Sequence, residues 1–118
     1  MMRYLSLIMA AIVLSTAMMA AKSLRLIYPN GGEILPLNST VTIKWSSADI
    51  SGKIVIVLYQ KGIKYLTVSS GTENTGTYRW KIPGNIPPAD HYRLRIRAAE
   101  DLSINDFSDR DFKITPNH

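Results

Sequence analysis

The sequence predicts an all-β sandwich of seven antiparallel strands, with no disulfide and with a hydrophobic signal segment in front of it. Short stretches alternate apolar and polar side chains with a period of two, which is typical of half-buried strands. Clusters of Pro, Gly, Asn and Ser separate these stretches, as expected of turns between strands. No stretch after residue 21 shows a sustained apolar period of 3.6 residues, so essentially no helix is expected.

Seven extended stretches follow one another along the chain, and each is bounded by turn residues. The predicted strands are residues 24–28, 41–45, 53–60, 63–69, 77–82, 92–98 and 112–114. The third contains Ile-Val-Ile-Val-Leu-Tyr, which is apolar on both faces, as expected of a central strand. Lys61-Gly62 predicts a tight hairpin turn into the fourth strand. Seven short strands in about 100 residues favour an immunoglobulin-like or fibronectin-like sandwich.

Residues 1–21 are predicted to direct export and not to join the fold. Arg3 is the only charge before Lys22, and the uncharged stretch between them has an apolar middle and small residues at its end. This order is the pattern of a secretory signal peptide. The alternative is an uncleaved membrane anchor, since about 18 uncharged residues approach the length that spans a bilayer. On either interpretation, residues 22–118 form one immunoglobulin-like domain that is secreted or lies in the cell envelope, extracellular or periplasmic.

The composition narrows the classes of function. Residues 22–118 carry 13 basic and 9 acidic side chains, a modest excess that favours an anionic polymer or surface as partner. The chain has no cysteine, which removes thiol nucleophiles and leaves packing alone to stabilise the domain. We expect no cofactor and no nucleic-acid partner. Membrane contact is expected only through the N-terminal segment, if that segment is retained.

Six residues are expected to support the fold: Asn30, Gly31, Gly32, Trp45, Trp80 and Tyr92. The Asn-Gly-Gly corner supplies backbone at positive φ at low steric cost. The two tryptophans are expected in the core, where each buries a large apolar area. The tyrosine opens the sixth strand and fits a tyrosine corner, in which a buried ring bonds through its hydroxyl to nearby backbone. The alternative is an ordinary strand tyrosine.

Four blocks of sequence resemble one known family in their order and spacing. They are IYPNGGEILPLNSTVTIKW, NTGTYRWKIPGNIP, DHYRLRIRA and FSDRDFKI, and they extend over roughly residues 25–115. These blocks resemble the immunoglobulin-like domain of the yeast KRE/KNH-type cell-wall synthesis family, also called the Ser-Thr-rich glycosylphosphatidylinositol-anchored membrane protein family.

The resemblance implies an immunoglobulin-like fold and a role at the cell wall or cell surface. Fungal members are implied in β-1,6-glucan assembly, and similar domains are modules of bacterial and archaeal surface proteins. We expect neither a Ser/Thr-rich stalk nor an anchor signal, and in this the chain would depart from the fungal pattern. The shared motifs are structural, so the resemblance carries over no catalytic residue.

A candidate binding face lies on the sixth predicted strand. Arg93, Arg95 and Arg97 project from one side of this strand, roughly 7 Å apart. They are expected to share a sheet with the third strand. The outward residues of that strand are either Val55, Val57 and Tyr59, which would add an aromatic ring, or Ile54, Ile56 and Leu58. An apolar surface, an aromatic ring and a row of guanidiniums are what an anionic polysaccharide needs for binding.

The sequence leaves two further points about this face open, the role of the arginines and the position of Tyr65. The arginine stems alternatively cover the apolar third strand, while Asp109 and Asp111 neutralise the charged ends. Tyr65 joins Tyr59 on this face if the hairpin loop has three residues, and lies on the opposite face if it has two.

The remaining polar clusters have simpler interpretations. Lys44, Arg79 and Lys81 are expected on the outer face of the other sheet, where they serve solvation. An acidic loop before the last strand supplies weak candidate ligands for calcium, although their spacing matches no EF-hand and no metal is expected. These weak candidates are Asp101, Asp106 and Asp109.

Catalysis has little support in the sequence. His91 is the only histidine before the terminal His118, and no Ser-His-Asp arrangement can be built around it from spacing. We therefore expect a module that is not an enzyme and that binds a cell-wall or surface glycan or polymer. The alternative is a protein–protein interaction or structural module that contacts other envelope proteins.

Overall fold

The structure is a computed structural model that describes residues 21–117. Within these residues the strands are β1 (Ser23–Tyr28), β2 (Ile34–Pro36), β3 (Thr40–Ala48), β4 (Ile54–Gln60), β5 (Ile63–Thr72), β6 (Thr77–Lys81), β7 (Ala89–Ala98), β8 (Asp101–Phe107) and β9 (Phe112–Thr115). The described part of the chain contains no helix, and so none that is long and apolar enough to span a membrane. The predicted signal segment falls on residues outside the described range, so it stays a prediction.

The strands form two sheets that pack face to face. The first sheet has the order β1-β3-β6, and the second has the order β2-β9-β7-β4-β5, with β8 also paired to β7. Strand β7 lies at the centre of the second sheet, because β4 pairs along one side of it and β8 and β9 share the other. Only the β2–β9 pair is parallel among the described strand pairs. The predicted all-β sandwich is confirmed.

The predicted number of strands is wrong, because nine are present in the described chain where seven were expected. All seven predicted strands are found. Strand β2 was missed, and it is a three-residue segment with one buried side chain, too short to show a period. Strand β8 occupies most of the stretch that was predicted to be an acidic loop. Its side chains are exposed or half-buried, and backbone pairing with β7 holds it in place.

The core lies between the two sheets and follows the alternation of the sequence. The first sheet contributes the inward residues Leu24, Leu26, Val41, Ile43, Trp45 and Trp80. The second sheet contributes Leu35, Ile54, Ile56, Leu58, Tyr92, Leu94, Ile96, Phe112 and Ile114. The indole N–H of the first tryptophan donates a hydrogen bond to Oδ1 of Asn74 at 2.8 Å, so its polar atom is satisfied although the ring is buried.

Tyr92 forms a tyrosine corner at the start of β7. Its side chain is fully buried, and its hydroxyl donates a hydrogen bond to the carbonyl of Pro87, five residues upstream. The ring stacks against Phe112 with 6.4 Å between centroids, and Tyr65 approaches it edge-on at 6.3 Å. Burial raises the pKa of the Tyr92 hydroxyl, and Tyr65 adds to this shift.

Replacement of Tyr92 by Phe is expected to lower the free energy of unfolding by about 1 kcal/mol at neutral pH, since the Pro87 carbonyl loses its donor. Because the folded pKa is raised, the contribution of the protonated hydroxyl is present below the ordinary value of 10.0 and is lost as the pH rises above it. The wild type should therefore lose stability more steeply than the variant in this alkaline range. Urea unfolding at neutral and alkaline pH measures both effects.

The control for this substitution is Tyr28→Phe, which removes a hydroxyl from an exposed side chain. Its free energy of unfolding should stay within about 0.5 kcal/mol of the wild type. Equal losses from the two substitutions, or parallel alkaline profiles for wild type and Tyr92→Phe, would contradict the role given to the corner hydroxyl.

A clasp of hydrogen bonds ties the Asn-Gly-Gly corner to the loop between β8 and β9, and we call it the corner clasp. Nδ2 of Asn30 donates to Oδ2 of Asp109 at 2.9 Å, and the Asp109 N–H donates to Oδ1 of Asn30 at 2.8 Å. The Arg110 N–H donates to the Asn30 carbonyl, and the Gly32 N–H donates to the Asp111 carbonyl. The corner thereby fixes the backbone of the loop that carries Asp111.

A carboxylate completes the corner from its other side. Glu33 accepts hydrogen bonds from the N–H groups of Asn30 at 2.9 Å and Gly31 at 2.7 Å. Gly31 and Gly32 both have positive φ, at 141° and 84°, as the sequence predicted for this corner. The turn therefore depends on glycine for its backbone geometry and on side-chain oxygens to satisfy its donors.

Candidate functional site

The outer face of the second sheet carries Tyr59 and the three arginines of β7. The register pairs Tyr59 with Arg93, Val57 with Arg95, and Val55 with Arg97 across β4 and β7. Both valines are buried although they point away from the core. Their register with the arginines indicates that aliphatic arginine stems cover them, as the alternative interpretation of this face required.

Arg95 supports the aromatic residues of this face. Its Nη1 donates to the Tyr59 hydroxyl at 3.2 Å, and its Nε donates to Oδ1 of Asn105 at 3.3 Å. Its guanidinium lies 5.5 Å from the centroid of Phe107, and the Tyr59 ring meets that ring edge-on at 5.0 Å. These contacts fix the rings of Tyr59 and Phe107 edge to face, with the Arg95 guanidinium over the Phe107 ring.

Arg93 is paired with a carboxylate. Its Nε donates to Oδ1 of Asp111 at 2.8 Å, and Nδ1 of His91 lies 3.3 Å from Oδ2 of the same residue. The hydrogen bond from Arg93 lowers the pKa of the Asp111 carboxyl, and His91 lowers it further. Asp111 therefore stays ionised at neutral pH and presents an oriented acceptor beside an oriented guanidinium.

The expectation that Asp109 also neutralises an arginine of this row is wrong, because its carboxylate accepts from Asn30 in the corner clasp. Arg97 lies at the far end of the row, where its Nη1 contacts the carbonyl of Ala98 at 3.5 Å. The three arginines therefore have different surroundings, and they do not present a uniform row of free cations.

A groove of about 580 Å³ opens at the end of this face where the β4–β5 hairpin meets β7. It is lined by Tyr59, Lys61, Gly62, His91, Arg93, Phe107 and Asp111. The Lys61 N–H donates to the His91 carbonyl at 2.9 Å, which fixes the hairpin against β7. One wall of the groove is aromatic, and the other carries the paired guanidinium and carboxylate.

The loop of the β4–β5 hairpin has two residues, so Tyr65 lies on the opposite face of the sheet from Tyr59. Gln60 pairs with Ile63, and both Lys61 and Gly62 have positive φ, at 52° and 78°, as in a type I′ turn. Tyr65 accordingly faces Tyr92 on the core side and does not join Tyr59. The groove takes its second aromatic ring from Phe107 instead.

The three aspartates considered for calcium have separate roles in the structure. Asp101 accepts from the N–H and hydroxyl of Ser103, and these bonds lower its pKa. Asp106 accepts from the Leu26 N–H at 2.8 Å, which satisfies an edge donor of β1, and Asp109 belongs to the corner clasp. Within residues 21–117 no three acidic or histidine side chains gather into a metal-binding group.

The two sheets and the tyrosine corner define an immunoglobulin-like sandwich module. A family profile described as the Kre9/KNH-like N-terminal Ig-like domain matches residues 28–114. The chain therefore belongs to this family, which confirms the predicted resemblance and makes it an Ig-like module of a cell-wall-associated family. No curated protein matches the sequence. Among solved structures, the fibronectin(III)-like modules of Clostridium thermocellum CbhA are similar, with 16% identity and a TM-score of 0.48 over 80% of this chain and 99% of that chain.

Proposed function

We propose that this domain is a non-catalytic module that binds a glycan of the cell envelope in the groove between the β4–β5 hairpin and β7. The observation that carries this proposal is the pairing of an aromatic wall with a polar one. Tyr59 and Phe107 form the first wall, and the Arg93–Asp111 pair forms the second. Binding sites commonly combine apolar contact area with a few fixed polar groups in this way.

A sugar ring matches both walls of the groove. Its C–H face offers flat apolar contact to Tyr59 and Phe107, while its hydroxyls can donate to the Asp111 carboxylate and accept from Arg93. Lys61 adds a positive charge at the rim. With the modest basic excess of residues 22–118, this charge favours glycans that carry carboxylate or phosphate groups.

The carboxylate chemistry favours binding over hydrolysis. Glycoside hydrolysis uses two carboxyl groups, one of which must be protonated at the start of the reaction. Among the groove-lining residues of the described chain, Asp111 is the only carboxylic acid, and its lowered pKa keeps it ionised. The groove is therefore suited to hold a sugar and not to protonate a glycosidic oxygen.

The test is glycan-array binding and affinity retention of residues 22–118 at low and high salt. This segment contains every strand of the described sandwich. Arg93→Ser is expected to weaken retention about tenfold, since a charge-assisted hydrogen bond to the ligand is lost. Phe107→Ala is expected to weaken it by a similar factor because one aromatic wall is removed.

The matched control is Lys113→Ser, which removes one positive charge from the same sheet outside the groove. Arg97→Ser removes an arginine of β7 that does not line the groove, so it tests whether binding depends on the groove or on all three arginines. Retention that falls with Arg93→Ser and Phe107→Ala, and not with the other two substitutions, supports the groove. Unchanged retention in Arg93→Ser would overturn the proposal.

A second candidate function is protein–protein interaction through the edge of the second sheet. Strand β5 is the edge strand at one end of this sheet, and its Ile63 side chain is 72% exposed. Edge strands offer unpaired backbone groups to an added strand. Association that rises with protein concentration in sedimentation, and that is indifferent to glycans, would favour this candidate over the groove.

A further inference from the structure

The outer face of the first sheet is basic and has no acidic residue. Four exposed side chains define this basic face: Arg25, Lys44, Arg79 and Lys81. The register sets each of them opposite a serine or threonine, with Lys44 also opposite Tyr28. No aspartate or glutamate occurs in β1, β3 or β6. None of the four takes part in an ion pair within residues 21–117. The positive charge of this face is therefore not compensated by the sheet itself.

A β-bulge in β1 places Tyr28 on the basic face beside Ile27, which strict alternation already turns outward. Leu26 pairs with Trp45 and Tyr28 pairs with Lys44, so two steps along β1 match one step along β3. Strict alternation would send Tyr28 to the core with Leu26. The bulge turns Tyr28 outward beside Ile27, and the two side chains are 38% and 51% exposed.

The apolar pair lies next to a basic side chain. Ile27, Tyr28, Thr42 and Lys44 line a depression of about 360 Å³ on this face. This sheet face thus carries an aliphatic and an aromatic side chain among four positive charges. Neither feature belongs to the groove of the second sheet.

We propose that the basic face docks on an anionic lipid surface, with Ile27 and Tyr28 at the level of the headgroups. Lysine and arginine side chains near a membrane are attracted by the negative surface potential of anionic lipids. Tyrosine prefers the membrane–water interface because its ring is apolar and its hydroxyl is polar. The proposed contact would add to any contact made by the N-terminal segment.

A lipid surface fits these observations better than a soluble polyanion does. A soluble polyanion would contact only the four charges, whereas a bilayer surface would also give apolar surroundings to Ile27 and Tyr28. A membrane surface can also contact Arg25 on β1 and Arg79 and Lys81 on β6 at the same time, because they lie on one sheet face.

The test is co-sedimentation of residues 22–118 with phosphatidylcholine vesicles, with and without phosphatidylserine. Binding is expected only with phosphatidylserine and should fall as salt is added. The triple substitution Lys44→Gln, Arg79→Gln and Lys81→Gln is expected to weaken binding about a hundredfold, as three surface-bound charges are lost. The double substitution Ile27→Ser and Tyr28→Ser should weaken binding without changing its salt dependence.

The matched control removes three charges outside the basic face, with Lys53→Gln just before β4, Lys64→Gln in β5 and Lys113→Gln in β9, and it should retain most of the binding. Circular dichroism checks that every variant keeps its β spectrum. Equal loss in the two triple variants would show a general charge effect and overturn the proposal. Binding to pure phosphatidylcholine, or to soluble polyphosphate with no binding to vesicles, would overturn it as well.

Discussion

Replacement of Gly31 by Ala is expected to lower the free energy of unfolding by about 3 kcal/mol, from backbone strain and overpacking together. Gly31 has φ of 141°, a conformation that side chains with a Cβ rarely adopt. A Cβ added there would lie 2.7 Å from Cβ of Arg110 and 3.2 Å from its backbone nitrogen. The backbone of Arg110 would have to move, and the corner clasp holds it in place.

The control for this prediction is Gly62→Ala, which separates backbone strain from the clash. Gly62 also has positive φ, at 78°, but an added Cβ there meets no atom within 4 Å. Gly62→Ala should lower the free energy of unfolding by only about 1 kcal/mol, the cost of placing Ala at positive φ in an open turn. Urea unfolding of both variants provides the comparison. Equal losses would mean that the contact between Gly31 and Arg110 is not what makes glycine necessary in the corner.

The fold was predictable because β1, β3, β6, β7 and β9 display their burial in alternation, while β4 is a continuous apolar run. Strand β7 is the clearest case, since Tyr92, Leu94 and Ile96 enter the core while arginines lie between them. Strand β8 gives no such signal, because DLSINDF has no fully buried side chain and is held by backbone pairing to β7. Periodicity reports side-chain burial and not the hydrogen bonds of an edge strand.

The candidate site was only partly predictable for a related reason. A period of two is enough to place the arginines of β7 on one face, with Tyr59 opposite Arg93. It does not show that Phe107 lies opposite Arg95, because that contact depends on the register of the unpredicted strand β8. It also does not show which arginine pairs with Asp111, since Asp111 lies in the loop between β8 and β9 and the corner clasp fixes the position of that loop.

One short segment has several roles, of which the sequence suggested only the pairing of Asp111 with an arginine. Within FSDRDF, Phe107 supplies the second aromatic ring of the groove, and Asp111 supplies its carboxylate. Asp109 closes the corner clasp with Asn30. The segment therefore connects the corner, the central strand and the groove. Its serine, Ser108, is the one buried polar residue in the described part of the chain.

Replacement of Ser108 by Ala is expected to lower the free energy of unfolding by about 2–3 kcal/mol, because two buried backbone groups lose a partner. The Ser108 hydroxyl accepts from the Leu94 N–H at 3.0 Å and donates to the Pro29 carbonyl at 3.1 Å. Its own N–H donates to the Leu94 carbonyl at 2.8 Å. Ser108 thus stands in for the missing ladder partner of β7, at the point where β8 has ended and β9 has not begun.

Two measurements separate this role from a general effect of losing a hydroxyl. Ser103→Ala is the matched control, because Ser103 is exposed and should change stability by no more than about 0.5 kcal/mol. Amide hydrogen exchange then reports on the Leu94 N–H directly. The Leu94 N–H should exchange faster in Ser108→Ala than in the wild type, with the Ile96 N–H two residues along the same strand as the internal reference. Unchanged protection at Leu94, or equal stability losses in the two serine variants, would show that the ladder does not depend on this side chain.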